Sequence, residues 1–449
     1  DSIAVSVKPK SNRGCWDMKI NGNLLLLIQG ITISTTGMTL FGTVSILWLA
    51  KVADSGSLIG LFMLVGSVPT VVMALLGGAF ADRFSRKGMI VLADSIIGMM
   101  ILSLSVVSFL SDSVSIHIIS LFAVQFIINT ILSLSLPAFF ALLPDLVSAN
   151  RLSMANVLMT SSFSVSEILG RSVGGLLYAV LGVPVLLLIT GIGYLLSALS
   201  ERFIQVPISH TDTITSSGTQ VDTQVKGEFM SVIAEIKTGL AYVYKNKSIR
   251  HVMIMRLGCL WCLGTFFVAL PFLVESRYDK GTAWFGYLLV VFTLGTIVGS
   301  VYGGMKFNQL DGLSGRTMLY RLSMLTLPLW CMSLAFIDNI YSAMLPIFFI
   351  SFSLQGICGT FIATQIQLTT PTDLRGRVMS IYMMMGSFTA VSGFLSGMLI
   401  DVLDKNVGLV LGVSGIVGCL ILYPLLFNKV WMEFMGYSTR DVLESREVT

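Results

Sequence analysis

Two oppositely charged residues, Glu167 and Arg171, stand four positions apart in an otherwise uncharged stretch, 154–181. Residues at this spacing share one face of a helix and can form an ion pair. A charged side chain at the centre of a membrane span costs roughly 2.5–3.5 kcal/mol on insertion scales, so charges there usually serve a function. The pair is the first candidate for chemistry in this chain.

Three interpretations of this pair are open. In the first, Glu167 takes up and releases a proton while Arg171 modulates its affinity for that proton. In the second, Arg171 binds an anionic group on a cargo molecule. In the third, the two residues form a permanent ion pair that only positions their helix.

Asp94 and Arg256 also fall inside apolar stretches. Asp94 lies about two helical turns into its stretch. We expect it to form a structural or gating pair with Arg83, Arg86 or Arg151, and proton carriage by Asp94 is the alternative. Arg256 lies near the start of the stretch 252–274, where it either extends back to the membrane interface or lines a cargo cavity.

Membrane-spanning helices must position these residues. The 449 residues are 54% hydrophobic and only 12% charged, whereas soluble domains are about 25% charged. This composition excludes a soluble enzyme, a disordered protein and a disulfide scaffold. A spanning helix needs about 20 apolar residues, and twelve stretches qualify. They are 24–50, 57–81, 88–110, 114–141, 154–181, 183–204, 252–274, 284–305, 316–337, 340–364, 378–402 and 406–428.

The basic residues predict the orientation of these spans. An even number of spans places both termini on one side of the membrane. Of the 28 Lys and Arg residues, four lie in the opposite loops (Lys51, Arg277, Lys280 and Lys405), and Arg171 and Arg256 lie inside spans. Arg202, Arg316 and Arg321 stand near span ends on the side of the termini. The others fall on the side of the termini. Cytoplasmic loops carry the excess of Lys and Arg, so both termini are expected to be cytoplasmic.

The longest loop divides the chain into two sets of six spans. Residues 1–204 form an N-terminal six-helix bundle, 205–251 a linker, 252–428 a C-terminal bundle and 429–449 a tail. The second part of the linker has apolar residues at helical spacing, which predicts an amphipathic helix on the inner membrane surface. A shift of 226 positions superimposes Gly60 on Gly286 and Arg151 on Arg377, as expected of two parallel repeats around a central cavity.

Polar and aromatic residues near the middle of the spans are candidates for the lining of that cavity, although such residues also hold helices together. They are Thr35, Thr36, Met38, Gln125, Asn129, Trp261, Phe266 and Gln355, together with Arg256. Five of the six cysteines lie in apolar stretches, where we expect free thiols. No metal site and no cofactor are expected.

The loop after the second span carries Gly78, Asp82, Arg83, Arg86 and Lys87 in the pattern G-x-x-x-D-R-x-x-R-K. Asp82 can cap a facing helix, and the basic residues can pair with carboxylates of a neighbouring helix. Contacts of this kind would act as a latch between two states, with Asp94, Arg151 and Arg377 as further members. Alternatively, the basic residues only determine the topology.

This loop resembles the hallmark motif of the major facilitator superfamily, with Ser85 in place of its usual glycine. Residues 137–147, 229–246 and 375–380 resemble the macrolide-exporter and enterobactin-exporter branch of its drug–proton antiporters. Antiporter members often carry Gly-Pro-x-x-Gly-Gly where Arg171 here takes the proline position. The resemblance implies an all-α fold of twelve transmembrane helices in two six-helix pseudo-repeats.

The resemblance implies a monomeric secondary transporter in the bacterial inner membrane. It would export amphipathic small molecules, such as drugs, macrolides or siderophores, against protons by alternating access. A transporter of lysophospholipids or other lipids with the same fold is the alternative. A membrane-embedded enzyme is disfavoured, because the sequence has no H-E-x-x-H motif, no P-loop and no G-x-S-x-G elbow.

Overall fold

The computed structural model describes residues 22–73, 85–147, 152–205, 237–309 and 313–427, and within these ranges the chain is helical. Ten of the helices are long and apolar enough to cross a membrane. An all-helical, multi-pass architecture is thereby confirmed. The count of twelve spans and the cytoplasmic position of the termini remain predictions.

The N-terminal half, residues 22–205, contains the helices α1 to α5. They are α1 (Gly22–Ala53), α2 (Gly56–Met73), α3 (Arg86–Leu110), α4 (Val114–Leu146) and α5 (Leu152–Glu201). Helix α5 is interrupted at Gly182, whose φ of 71° lies in the left-handed region that favours glycine. This break falls between the predicted spans 154–181 and 183–204. We call the two parts the first arm and the second arm of α5.

The C-terminal half, residues 237–427, begins with a short helix, 237–245. Its longer elements are α6 (Lys247–Phe272), α7 (Ala283–Gln309), α8 (Leu313–Ser333), α9 (Ile340–Ser351), α10 (Gly359–Thr369), α11 (Thr372–Met384), α12 (Phe388–Val402) and α13 (Val407–Leu426). Single π-helical segments extend α6 over Leu273–Arg277 and join α9 to α10 over Phe352–Cys358.

Close helix packing in the C-terminal half depends on glycine. A Cβ atom at Gly264 in α6 would lie 1.9 Å from Ser392 Oγ and 2.2 Å from the Thr389 carbonyl oxygen. Both of these atoms belong to α12, which therefore packs directly on the α6 backbone. The described cysteines of this half are free thiols, as predicted: Cys259, Cys262, Cys331 and Cys358, which are buried, and Cys419, which is half-buried.

Replacing Gly264 by alanine is expected to destabilise the C-terminal half by about 1–3 kcal/mol, because overpacking forces the helices apart. The measurement is a thermal unfolding curve of the purified protein. Gly412→Ala in α13 is the matched control, since a Cβ atom there meets no atom within 4 Å. Equal unfolding temperatures for the two variants would contradict the close α6–α12 contact.

The two halves meet along two pairs of helices, α2 with α12 and the first arm of α5 with α7. A Cβ atom at Gly60 in α2 would lie 2.4 Å from Phe394 Cα, and one at Gly175 in α5 would lie 2.5 Å from Gly286 Cα. Gly60 and Gly286 are the residues that the 226-residue shift superimposes. Each packs against a helix of the other half, so the two interfaces are built in the same way.

The ends of this bundle are named here by one residue each. The Asp401 end contains the end of α1, the start of α2 and the end of α12. The Arg86 end contains the start of α3 and the end of α4, where Arg86 pairs with Asp145. The start of α1 and the end of α5 also meet at the Arg86 end, since Asn23 Nδ2 donates to the Gln205 carbonyl oxygen at 2.7 Å.

Candidate functional site

Arg171 in the first arm of α5 joins the two halves near the middle of the bundle. Its guanidinium forms an ion pair with Glu167, one turn earlier on the same helix. Its Nη1 also donates to Thr293 Oγ1 of α7 at 3.1 Å. The Arg171 side chain is 17% exposed, and the Glu167 side chain is 40% exposed. The carboxylate of this pair is therefore the more accessible partner.

Aromatic rings of the C-terminal half complete the surroundings of Arg171. The guanidinium carbon lies 5.8 Å from the ring centroid of Phe267 in α6 and 5.9 Å from that of Phe292 in α7. Guanidinium groups at such distances are attracted to the ring faces. Phe266, which the sequence suggested as cavity lining, is 1% exposed and stacks on Phe292 with centroids 5.2 Å apart. Phe267 and Phe292, rather than Phe266, are therefore the rings that lie near Arg171.

Asp401 joins the halves at its own end of the bundle. Its carboxylate accepts hydrogen bonds from the Gly56 amide at 2.6 Å and from the Ser57 amide at 2.9 Å. Ser55 Oγ donates to it at 2.7 Å. The carboxylate at the end of α12 thus caps the N-terminus of α2, where the helix dipole favours negative charge. An ion pair between Lys405 and Asp54 lies beside this cap.

The described part of the loop motif lies at the Arg86 end. Arg86 Nη1 lies 2.7 Å from Asp145 Oδ2 and donates to the Ala141 carbonyl oxygen at 3.0 Å, so it ties α3 to the end of α4. Lys87 is half-buried. Arg377 in α11 packs against Gly239 of the short helix 237–245. The predicted residues Gly78, Asp82, Arg83 and Arg151 lie outside the described residues.

Asp94 is buried between helices of the N-terminal half and is only 2% exposed. Ser34 Oγ of α1 donates to its carboxyl group. The predicted partner Arg86 binds Asp145 instead. The expectation of an Asp94–Arg86 pair is therefore wrong, because the basic side chain at the start of α3 extends towards α4. A pair of Asp94 with Arg83 or Arg151 stays a prediction, since both lie outside the described residues.

Several of the polar residues predicted to line a cavity, on α1 and α4, make contacts within or between helices, and their role in a cavity stays a prediction. Thr36 Oγ1 bonds back to the Thr32 carbonyl oxygen at 2.7 Å. Gln125 in α4 is 8% exposed, and its Nε2 would lie 2.4 Å from a Cβ atom at Gly66 of α2. Asn129 Nδ2 donates to the Gln125 carbonyl oxygen at 2.9 Å. Thr35 and Met38 of α1 are half-buried.

Arg256 in α6 lies over the ring of Tyr382 in α11, with its guanidinium carbon 3.8 Å from the ring centroid. Its Nη1 also donates to the Tyr382 hydroxyl at 2.7 Å. The structure thus uses this cation to join α6 to α11. Trp261 is half-buried, and Gln355 is exposed in the π-helical segment.

Sequence reasoning missed Thr293, Phe267, Asp401 and Glu201. The first two are ordinary residues of apolar helices, with no local signal of their role. Asp401 and Glu201 are acidic residues at the ends of their helices, where a charge is expected to be solvated. The groups that surround them lie on helices distant in the sequence, so spacing alone could not reveal these positions.

Among the described residues, ten helices long and apolar enough to cross a membrane define a multi-pass membrane protein. Residues 27–393 match the family model of the Major Facilitator Superfamily. The chain belongs to the major facilitator superfamily.

Similar curated proteins include two bacterial membrane proteins. An uncharacterized MFS-type transporter, YfmI of Bacillus subtilis, is 23% identical over 276 residues, which are 60% of this chain and 63% of that protein. Macrolide efflux protein A of Streptococcus pyogenes is 23% identical over 269 residues, 59% of this chain and 61% of that protein. The chain thus matches just under two thirds of the length of these relatives.

Solved structures share the fold. The nucleoside transporter NupG has a TM-score of 0.68 at 14% identity, covering 93% of this chain and all of that one. A bacterial homologue of the human lysosomal transporter Spinster, in an inward-facing conformation, has a TM-score of 0.64 at 12% identity, covering 94% and 97%. Identities this low indicate a common fold and carry no information about substrate.

Proposed function

We propose that this protein is a proton-coupled secondary transporter that exports amphipathic small molecules by alternating access. The proposed cargo is a drug, a macrolide or a siderophore. The protein would act as a monomer in the bacterial inner membrane, and protons and the cargo would be its ligands.

The observation that carries this proposal is the position of the Glu167–Arg171 pair. Arg171 contacts Thr293, Phe267 and Phe292 of the opposite half, and its partner Glu167 is the more exposed of the two. A proton bound by Glu167 would neutralise the partner of Arg171 and leave the guanidinium held by the C-terminal half alone. Protonation at this site would thereby alter how strongly the halves are joined.

The contacts between the halves support an arrangement that is closed at the Asp401 end. Asp401, Gly60 and Gly175 all contribute to the junction at that end or towards the middle. The excess of basic residues at the Arg86 end supports a cytoplasmic orientation for it. In this orientation the described state is closed to the outside, as required of one state of an alternating-access cycle.

A macrolide efflux protein among the relatives supports export as the direction and an amphipathic cargo. Apolar side chains that adapt their shape suit such cargo, and the chain holds 24 Met and 27 Phe residues of this kind. The alternative cargo, a lysophospholipid or related lipid, remains an outcome of the transport test.

Glu167→Gln is expected to abolish proton-driven transport while leaving expression intact, because glutamine keeps the shape of the side chain but cannot exchange a proton. The measurement is flux in proteoliposomes under an imposed pH gradient, for a panel of macrolides, siderophores and lysolipids. Glu275→Gln is the matched control, because Glu275 is an exposed acidic residue at the Asp401 end. Gradient-driven flux at the wild-type rate in Glu167→Gln would exclude the proposed role.

The panel also separates the cargo classes. Flux of macrolides or siderophores supports the export of drug-like compounds, whereas flux of lysolipids alone supports the lipid transporter. Hydrolysis or group transfer by the purified protein would instead indicate a membrane-embedded enzyme.

A further inference from the structure

Two buried acidic residues lie near one another inside the N-terminal half, away from Glu167. Asp94 of α3 and Glu201 of the second arm of α5 are both buried, with 2% and 0% of their surfaces exposed. Ser197 Oγ, one turn before Glu201, lies 2.9 Å from Ser34 Oγ, and Ser34 in turn donates to Asp94. The two carboxyl groups are close enough to interact electrostatically.

Neither carboxyl oxygen of Glu201 has a hydrogen-bond partner among the described residues. The hydroxyl of Tyr194, two turns earlier on the same arm, is likewise buried without a described partner, and this ring is 1% exposed. Tyr194 interacts electrostatically with Asp94. The buried hydroxyl near Asp94 is a second polar group of this region for which the described residues provide no partner.

Among the described residues, no basic side chain is seen to bind Glu201, and Arg202, the next residue in the chain, is exposed. Helix α1 faces it with Gly30 and Ser34, and α3 faces it with Asp94. Lys51 is the sole charged residue within α1, and it lies at the far end of that helix. At the end of α4, Asp145 is already paired with Arg86. Burial of an unpaired carboxylate costs several kcal/mol, so such a group takes up a proton instead.

The space around Glu201 fits a proton better than a metal cation. A Cβ atom at Gly30 would lie only 2.3 Å from Glu201 Oε1, so the carboxyl group lies directly against the α1 backbone. A sodium ion needs a shell of oxygen ligands around it, and the α1 backbone occupies that side of the carboxyl group.

We propose that Asp94 and Glu201 form a proton-binding site distinct from Glu167, in which Glu201 holds the proton and Asp94 keeps its charge. The proton enters from solvent at the Arg86 end, binds a Glu201 carboxyl oxygen and leaves by the same route. This inference rests on the proposed function in one respect, namely that the bound proton takes part in coupling.

Helix α1 connects this site to the junction between the halves. Its Ser34 binds Asp94, and Thr36, two residues later, packs against the first arm of α5, where a Cβ atom at Gly170 would lie 2.8 Å from the Thr36 carbonyl oxygen. Gly170 is the neighbour of Arg171. A movement of α1 on proton release would therefore displace the part of α5 that carries the Glu167–Arg171 pair.

Infrared spectroscopy of the purified full-length chain tests the site without any transport measurement. A protonated carboxylic acid has a C=O stretching band that shifts in D₂O. We expect such a band at neutral pH, its loss in Glu201→Gln and its retention in Glu167→Gln. An unchanged band in Glu201→Gln would overturn the proposal. Should Glu201→Gln fail to fold, ¹³C-labelled glutamate in the wild-type chain identifies whether the band belongs to a glutamic acid.

Two further measurements separate the remaining outcomes. In Asp94→Asn, the Glu201 band is expected to disappear at lower pH than in the wild type, because the neighbouring negative charge that favours the proton is gone. A band that never titrates before unfolding contradicts proton exchange. Loss of the band when sodium chloride replaces choline chloride would make this a sodium site. An intact band with no proton-driven flux refutes the proposed function and leaves the site standing.

Discussion

Arg171→Gln is expected to lower proton-driven transport by about 30- to 100-fold. The substitution removes a charge-assisted hydrogen bond to Thr293, worth about 1.5–3 kcal/mol, and the attraction to two ring faces, worth about 0.5–2 kcal/mol. A tenfold change in rate corresponds to about 1.4 kcal/mol. Because the two contributions are only partly additive, the expected loss lies in the lower part of their summed range. The measurement is the flux of the panel compound that the wild type exports.

The double variant Glu167→Gln/Arg171→Gln distinguishes a permanent ion pair from a proton site. If the pair only positions the first arm of α5, removal of both charges leaves no unpaired charge in the membrane, and transport recovers. If Glu167 carries the proton, as we propose, the double variant stays inactive although it folds. Recovery of wild-type flux in the double variant would therefore refute the proton role of Glu167.

Arg171→Lys is the informative control for this series. It preserves the positive charge beside Glu167 but loses the planar fork of the guanidinium. We expect expression at the wild-type level and intermediate flux, because Lys cannot hold Glu167 and Thr293 in the same geometry.

Asp401→Asn is expected to shift the protein towards a state that is open at the Asp401 end, by about 30-fold in the ratio of open to closed molecules. Asparagine keeps the size of the side chain but removes the charge that two backbone amides and Ser55 share. Loss of this charge-assisted cap costs about 2 kcal/mol, which corresponds to that ratio.

The neighbouring ion pair is expected to contribute much less. The side chains of Lys405 and Asp54 are 38% and 63% exposed, and exposed pairs of this kind contribute about 0–1 kcal/mol. Lys405→Ala should therefore leave the ratio of open to closed molecules nearly unchanged. The Asp401 cap, rather than the ion pair beside it, controls this end of the bundle.

Distances between spin labels at the exposed positions 112 and 280 measure this opening. The two positions lie in loops at the Asp401 end, one in each half, and the native cysteines are replaced beforehand. Asp404→Asn is the matched control, because it removes the same charge three positions later from an exposed side chain. Identical distance distributions for Asp401→Asn and Asp404→Asn would show that the cap has no such role.

The helices were largely predictable from the sequence because their signal is local. Apolar length placed a helix over 88–110, and the structure has α3 from Arg86 to Leu110. The boundary between the spans 154–181 and 183–204 coincides with Gly182, the residue with positive φ. The Glu167–Arg171 ion pair was equally predictable, because a spacing of four residues determines a contact within one helix.

The partners of the buried charges were not predictable. Asp94 was expected to pair with Arg83, Arg86 or Arg151; of these, Arg86 binds Asp145, and Asp94 accepts a hydrogen bond from Ser34 of α1. Gln125 was expected to line the cavity, which stays a prediction, and the structure places its amide close to Gly66 of α2. In both cases the residue type was recognised as meaningful, but the direction of its side chain depends on which helix packs beside it.

The sequence by itself determined that the chain crosses a membrane, where its main helices begin and end, and that a charged pair lies within one of them. Only the tertiary structure decided that Arg171 reaches Thr293, that Asp401 caps a helix 345 residues away, and that Glu201 is buried beside Asp94. The physical reason is the range of each interaction. Hydrophobic length and one-turn pairs are encoded by neighbours, whereas helix partners are selected by close glycine contacts between distant segments.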